Sequence, residues 1–103
     1  MSRQAEGSFK EKVVAQLKEV FGDSIDILVT QERGRKGVAD LIICLHGDSI
    51  RQELKVDGEK PTKLQQHKLD KHTRAGGLSF FSTPSTWPQQ LATLKEKYAR
   101  KAG

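Results

Sequence analysis

The stretch GVADLIICLHGDSIRQELKV (residues 37–56) decides the fold. Two apolar runs, ADLIICL and SIRQELKV, flank the turn-forming HGDS, which is the pattern of a β-hairpin. Three ionisable residues disturb it. Asp40 stands just before the first apolar run, and Glu53 and Lys55 interrupt the returning strand, where a small core favours apolar or neutral side chains. Side chains two apart on a strand share a face, so Glu53 and Lys55 point one way and Leu54 the other. A tight turn at Gly47-Asp48 pairs Asp40 with Lys55 and Ile42 with Glu53, and all three charged groups then cluster on one face. A three-residue loop would slip the register and scatter them. The cluster therefore requires a turn of even length, which HGDS allows.

Outward from the hairpin, the remaining elements follow from periodicity. Phe9, Val13, Leu17 and Val20 recur at helical spacing, giving an amphipathic helix over residues 9–21 that can begin a turn earlier and stops at Gly22. SIDILVT is a β-rich run, and QERGRKG is a basic, glycine-punctuated loop. After GEKP breaks the chain, TKLQQHKLDKHTRAGG reads as a second helix closed by glycines. LSFFSTP supplies a fourth strand. STWPQQLATLKEKYARKAG forms a last helix with a Ser or Thr cap, Pro88 in its first turn, and Trp87, Leu91, Leu94 and Tyr98 on one face. The order is α-β-β-β-α-β-α, a mixed sheet flanked by helices.

A chain of 103 residues with 35% hydrophobic content supports one domain over residues 1–103 and one modest core. A net charge of +5 favours a polyanionic partner. No apolar segment is long enough to span a bilayer, and the N-terminus lacks the apolar stretch of a signal peptide, so no membrane role and an intracellular, cytoplasmic location are expected. The single cysteine, Cys44, forms neither an internal disulfide nor a thiolate cluster and reads as a buried core thiol.

Two carboxylates within a few ångströms repel when both are ionised, and one lysine only partly offsets this. A hard divalent cation offsets it better, since Mg²⁺ takes carboxylate oxygens in a partly hydrated octahedron. Such an ion lowers the pKa of a bound water and steadies a phosphodiester under attack. The plain alternative is a salt-bridged, solvated strand face. Helical phase adds a third carboxylate: Glu6 falls on the stripe of Phe9, Val13 and Leu17 if the helix reaches back that far, whereas Glu11 points to solvent. Glu6 then either serves the site or merely favours the positive end of the helix dipole. On the second helix Leu64, Leu69 and His72 define the inner arc, which includes Gln65. Lys60, Lys63, His67, Lys71 and Arg74 form an opposite basic stripe, with Arg33, Arg35 and Lys36 on the loop before Asp40. Together they form a candidate phosphate-backbone surface.

In GVAD, ELK and PTKLQQHK, in that order and spacing, the chain resembles the PD-(D/E)xK nucleases, and within them the VRR-NUC (virus-type replication-repair nuclease) family. The resemblance covers roughly residues 6–81 and implies a restriction-endonuclease-like α/β fold. It further implies that Asp40 and Glu53 bind Mg²⁺ or Mn²⁺, joined by Leu54 and by Glu6 directly or through water. Lys55 would orient or activate the attacking water, and Gln65 would support the site or the scissile phosphate. One departure is Ala39, where the family has Pro; proline there mainly fixes backbone shape. The expected function is a metal-dependent endonuclease acting on DNA, duplex or branched, such as flaps or Holliday junctions in DNA repair, and working as a homodimer. The alternative is a non-catalytic DNA-binding module of the same fold, and an RNA-directed nuclease would differ only in substrate.

Overall fold

The structure, a computed structural model, describes residues 3–30 and 37–102, with side chains described for 7–30 and 37–99. Helix α1 (Arg3–Phe21) packs its Phe9–Val13–Leu17 stripe into the core. It ends at Gly22, whose φ of 52° is in the left-handed region that glycine enters without strain. A short 3₁₀ turn (Gly22–Ser24) leads into strand β1 (Ile25–Val29). Strands β2 (Leu41–Leu45) and β3 (Asp48–Leu54) follow, then α2 (Lys63–Arg74), β4 (Leu78–Ser82) and α3 (Trp87–Ala102). The element order is the one read from the sequence.

The four strands form one sheet in the order β1-β2-β3-β4. The first three are antiparallel neighbours, and β4 runs parallel to β3 because α2 carries the chain back between them. Strand parity divides the sheet. Leu41, Ile43, Leu45, Ile50 and Leu54 face a core completed by α1 and by Trp87, Leu91, Leu94 and Tyr98 of α3. Buried Gln52 shares that face, donating to Ser82 Oγ at 2.9 Å, and Trp87 Nε1 donates to Gln16 Oε1 at 2.7 Å, tying α3 to α1. The other face carries Arg51, Glu53 and Ser79, and α2 lies over β3 and β4 on that side.

Four expectations need correction. The hairpin turns at His46-Gly47, one residue earlier than expected, with φ of 49° and 86°, the paired left-handed conformation of a two-residue hairpin loop. Ile42 therefore pairs with Arg51, not with Glu53. The register moves by two, an even number, so no side chain changes face and the charged cluster survives. Cys44 is exposed rather than buried: parity places it on the outer face, and α2 leaves that face open over β1 and β2. Leu64 is 42% exposed and packs on the backbone at Gly37 instead of entering the core, since a Cβ on Gly37 would lie 2.7 Å from Leu64 Cγ. Val20 is likewise exposed at the last turn of α1, where Phe21 packs against the core instead.

Candidate active site

Asp40 sits at the mouth of β2, held by strand-like pairing one residue beyond the ladder: Thr30 N–H donates to its carbonyl at 3.0 Å, and Thr30 Oγ1 donates to the Ala39 carbonyl at 2.8 Å. Its carboxylate reaches across to β3, where Oδ2 accepts the Leu54 N–H at 2.8 Å. This bond fixes the side chain at the strand carrying Glu53. The last ladder pair is Leu41 with Gln52, so one step further along the register Asp40 stands opposite Glu53. The corrected turn thus brings the two carboxylates closer in register than the expected one did.

Glu53 is only 2% exposed, a burial that a carboxylate tolerates only with partners. Gln65 Nε2 donates to Glu53 Oε2 at 3.0 Å, and the Lys55 ammonium lies 3.8 Å from the same oxygen. The Gln65 side chain is itself locked, because Thr62 and Gln65 form a capping box at the start of α2. Thr62 N–H donates to Gln65 Oε1 at 2.8 Å and Gln65 N–H donates to Thr62 Oγ1 at 3.1 Å. Only the Gln65 NH₂ is left to face Glu53. The PTKLQ segment therefore starts a helix and aims a donor at the site with the same residue.

The other predicted residues divide clearly. Asp40, Glu53, Lys55 and Gln65 come together on the α2 side of the sheet. The Leu54 side chain is buried in the core, so only its main chain borders the site. Glu6 lies within α1, as the phase reading required, but its side chain is outside the described residues, as are Arg33, Arg35 and Lys36. Lys60, Lys63, His67, Lys71 and Arg74 are all exposed, the last four on α2 itself. Sequence reasoning missed Lys10, whose ammonium lies 3.9 Å from Asp40 Oδ1. The signal is in the sequence, since Lys10 stands one helical turn after Glu6 and so shares its face of the helix.

Among the described residues no three His, Cys, Asp or Glu side chains gather as a metal-binding group. Two carboxylates nonetheless suit a hard divalent cation, because Mg²⁺ is ordinarily held by one or two carboxylates, with waters and substrate phosphate completing the octahedron. The Lys55 and Lys10 ammonium groups stand 3.8 Å from Glu53 and 3.9 Å from Asp40, beyond the 2.7–2.9 Å of a charge-assisted hydrogen bond.

Comparison with known proteins bears on the fold. A solved chain described as a VRR_NUC domain superposes with a TM-score of 0.66 at 25% sequence identity, the match covering 91% of this chain and 97% of that one. The chain is similar in fold to a VRR_NUC domain. It has a nuclease-type fold, as its motifs suggested. No family model matches the sequence, and a search of curated proteins finds no match. No helix among the described residues is long and apolar enough to cross a membrane.

Proposed function

We propose that this chain is a Mg²⁺- or Mn²⁺-dependent endonuclease that hydrolyses DNA phosphodiesters. The observation that carries the reading is Glu53, a buried carboxylate on the face shared with Asp40 and Lys55 and held by a glutamine that the capping box has already oriented. A buried acid with a dedicated donor and a second acid beside it is an expensive arrangement for structure alone.

Asp40 and Glu53 would hold the ion, with the Leu54 main chain and Glu6 as further candidates. When bound, the ion would supply Lewis-acid stabilisation of the phosphoryl oxygens and a more acidic water. The chain's own residues do the positioning. The Leu54 N–H fixes Asp40, Gln65 fixes Glu53, and Lys55 stands beside Glu53, where its ammonium can hold the attacking water or the phosphate oxygen it approaches. Hydrolysis adds that water's oxygen to phosphorus and releases one strand end as an alcohol. The exposed cations of α2, with Lys60 before it, supply phosphate contacts along the substrate. We further propose branched, flapped or junction DNA as substrate and a homodimer as the working unit, since a two-fold dimer presents two sites to the paired strands of a junction.

The test is a panel of labelled single-stranded, duplex, flapped and four-way-junction DNA incubated with Mg²⁺, Mn²⁺ or EDTA, beside light scattering for the oligomer. Metal-dependent cleavage that Asp40→Asn abolishes supports the reading. DNA binding without cleavage under every metal condition would favour the non-catalytic module.

A further inference from the structure

A second cationic feature lies on the same face as Glu53 and plays no part in the acid cluster. Arg51 precedes Glu53 by two residues on β3, so the two side chains leave the same face of the strand about 7 Å apart. With Lys68 and Leu69 of α2 and the backbone of Gly37, Val38 and Ala39, Arg51 lines a small cleft beside the approach to Asp40. The cleft exists because Gly37 is glycine: its φ is 80°, and a Cβ there would lie 2.7 Å from Leu64 Cγ and 3.1 Å from Lys68 Cδ. The Arg51 Nε is buried and has no hydrogen-bond partner. Among the described residues neither Arg51 nor Lys68 forms an ion pair. A buried guanidinium N–H without an acceptor is rare in a folded protein, and a second cation beside it makes a neutral occupant a poor match.

We infer that the cleft between Arg51, Lys68 and the 37–39 backbone is a phosphate-binding subsite, which seats a DNA backbone phosphate next to the one placed at Asp40 and Glu53. The planar guanidinium offers paired donors to phosphate oxygens, and Lys68 adds a point charge at the rim. Arg51 is then a positioning residue: it sets where along the strand the reacting bond lies. The inference rests on the DNA reading above, but its test does not use cleavage.

In the intact protein, inorganic phosphate is titrated at constant ionic strength while nitrogen-15 spectra follow the Arg51 Nε–Hε signal and the amides of Gly37, Val38 and Ala39. Saturable shifts confined to these signals, and lost in Arg51→Gln, are expected. In parallel, binding of a labelled DNA duplex without divalent metal is measured against salt. Lys68→Gln, a change at an exposed position that leaves the fold intact, should flatten the slope of log affinity against log salt by about 0.9, one phosphate contact. Absence of saturable phosphate shifts at Arg51, or a wild-type salt slope in Lys68→Gln, overturns the subsite even if the protein cuts DNA. Phosphate binding at Arg51 together with the altered slope supports it even if no DNA is cut, and that outcome would count against the nuclease reading alone.

Discussion

Gln65 does two jobs with one amide, and separating them makes a sharp prediction. Its Oε1 accepts the Thr62 N–H at 2.8 Å, and its Nε2 donates to Glu53 Oε2 at 3.0 Å. Gln65→Ala removes both. The cap bond is worth about 1 kcal/mol and the bond to a buried carboxylate about 1.5–3 kcal/mol. Release of the glutamine rotamers returns about 1.5 kcal/mol, leaving a net loss of about 1–2.5 kcal/mol. For a domain of this size that lowers the melting temperature by about 4–20 °C. Thr62→Ala removes the threonine half of the capping box, at a similar cost of about 1 kcal/mol, but leaves the Gln65–Glu53 bond available. The two variants should therefore separate in activity. Gln65→Ala should lower metal-dependent cleavage about 10- to 100-fold, the usual effect of losing a residue that orients a ligand, while Thr62→Ala should stay within a few-fold of wild type. The assay is initial cleavage rate well below the melting temperature of each variant. If both variants lose activity equally, or if Gln65→Ala is fully active, Gln65 acts only as a helix cap and the account of Glu53 is wrong.

Other perturbations test other parts. Burial, the hydrogen bond to Asp48 and the charge of Asp48 together raise the Tyr98 phenol well above its ordinary value near 10. The folded state therefore favours the neutral phenol: this stabilisation is fully present below about pH 10 and is lost as the pH rises toward the elevated folded value. Tyr98→Phe should melt lower at pH 7, by the loss of about 1.5 kcal/mol for the 2.7 Å bond to Asp48, yet decline less steeply in alkali, as thermal melts from pH 7 to 11 would show. Gly37→Ala should cost about 2–4 kcal/mol, because it combines a left-handed backbone with the contact to Leu64, and should also reduce cleavage by displacing the segment before Asp40. Changing Lys63, Lys71 and Arg74 together to Glu should weaken DNA binding at low salt and flatten its salt slope by about 0.9 per lost phosphate contact. An unchanged slope would make the stripe a solvated surface only.

Much of this was legible because parity and helical phase are robust to small errors. The hairpin turn was misplaced by one residue, yet the register shifted by two and every side chain kept its face. Asp40, Glu53 and Lys55 therefore clustered as read, although Asp40 stands opposite Glu53 and not Lys55. Gln65 was recognised as facing inward, but its capping box with Thr62 was not, since that depends on where the helix begins. Cys44 was misread because its apolar neighbours suggested burial on both faces. How far a helix extends over a sheet is a tertiary fact, and α2 packs chiefly on β4 and β3. The pairing of Arg51 with Lys68 is not legible in the sequence for a related reason. They lie on different elements, and only the chain passing between them at Gly37 creates the cleft they share.

The central claim is that Asp40 and Glu53 together hold a divalent ion, and paramagnetic broadening by Mn²⁺ tests it most directly. Sub-stoichiometric Mn²⁺ added to nitrogen-15-labelled protein should broaden the Leu54 amide, whose N–H is bonded to Asp40, and the amides of Asp40, Glu53 and Lys55 before any others. Asp40→Asn and Glu53→Gln should each abolish that pattern, while Lys55→Ala should preserve it. Broadening that settles elsewhere, or that survives both acid substitutions unchanged, would contradict the account.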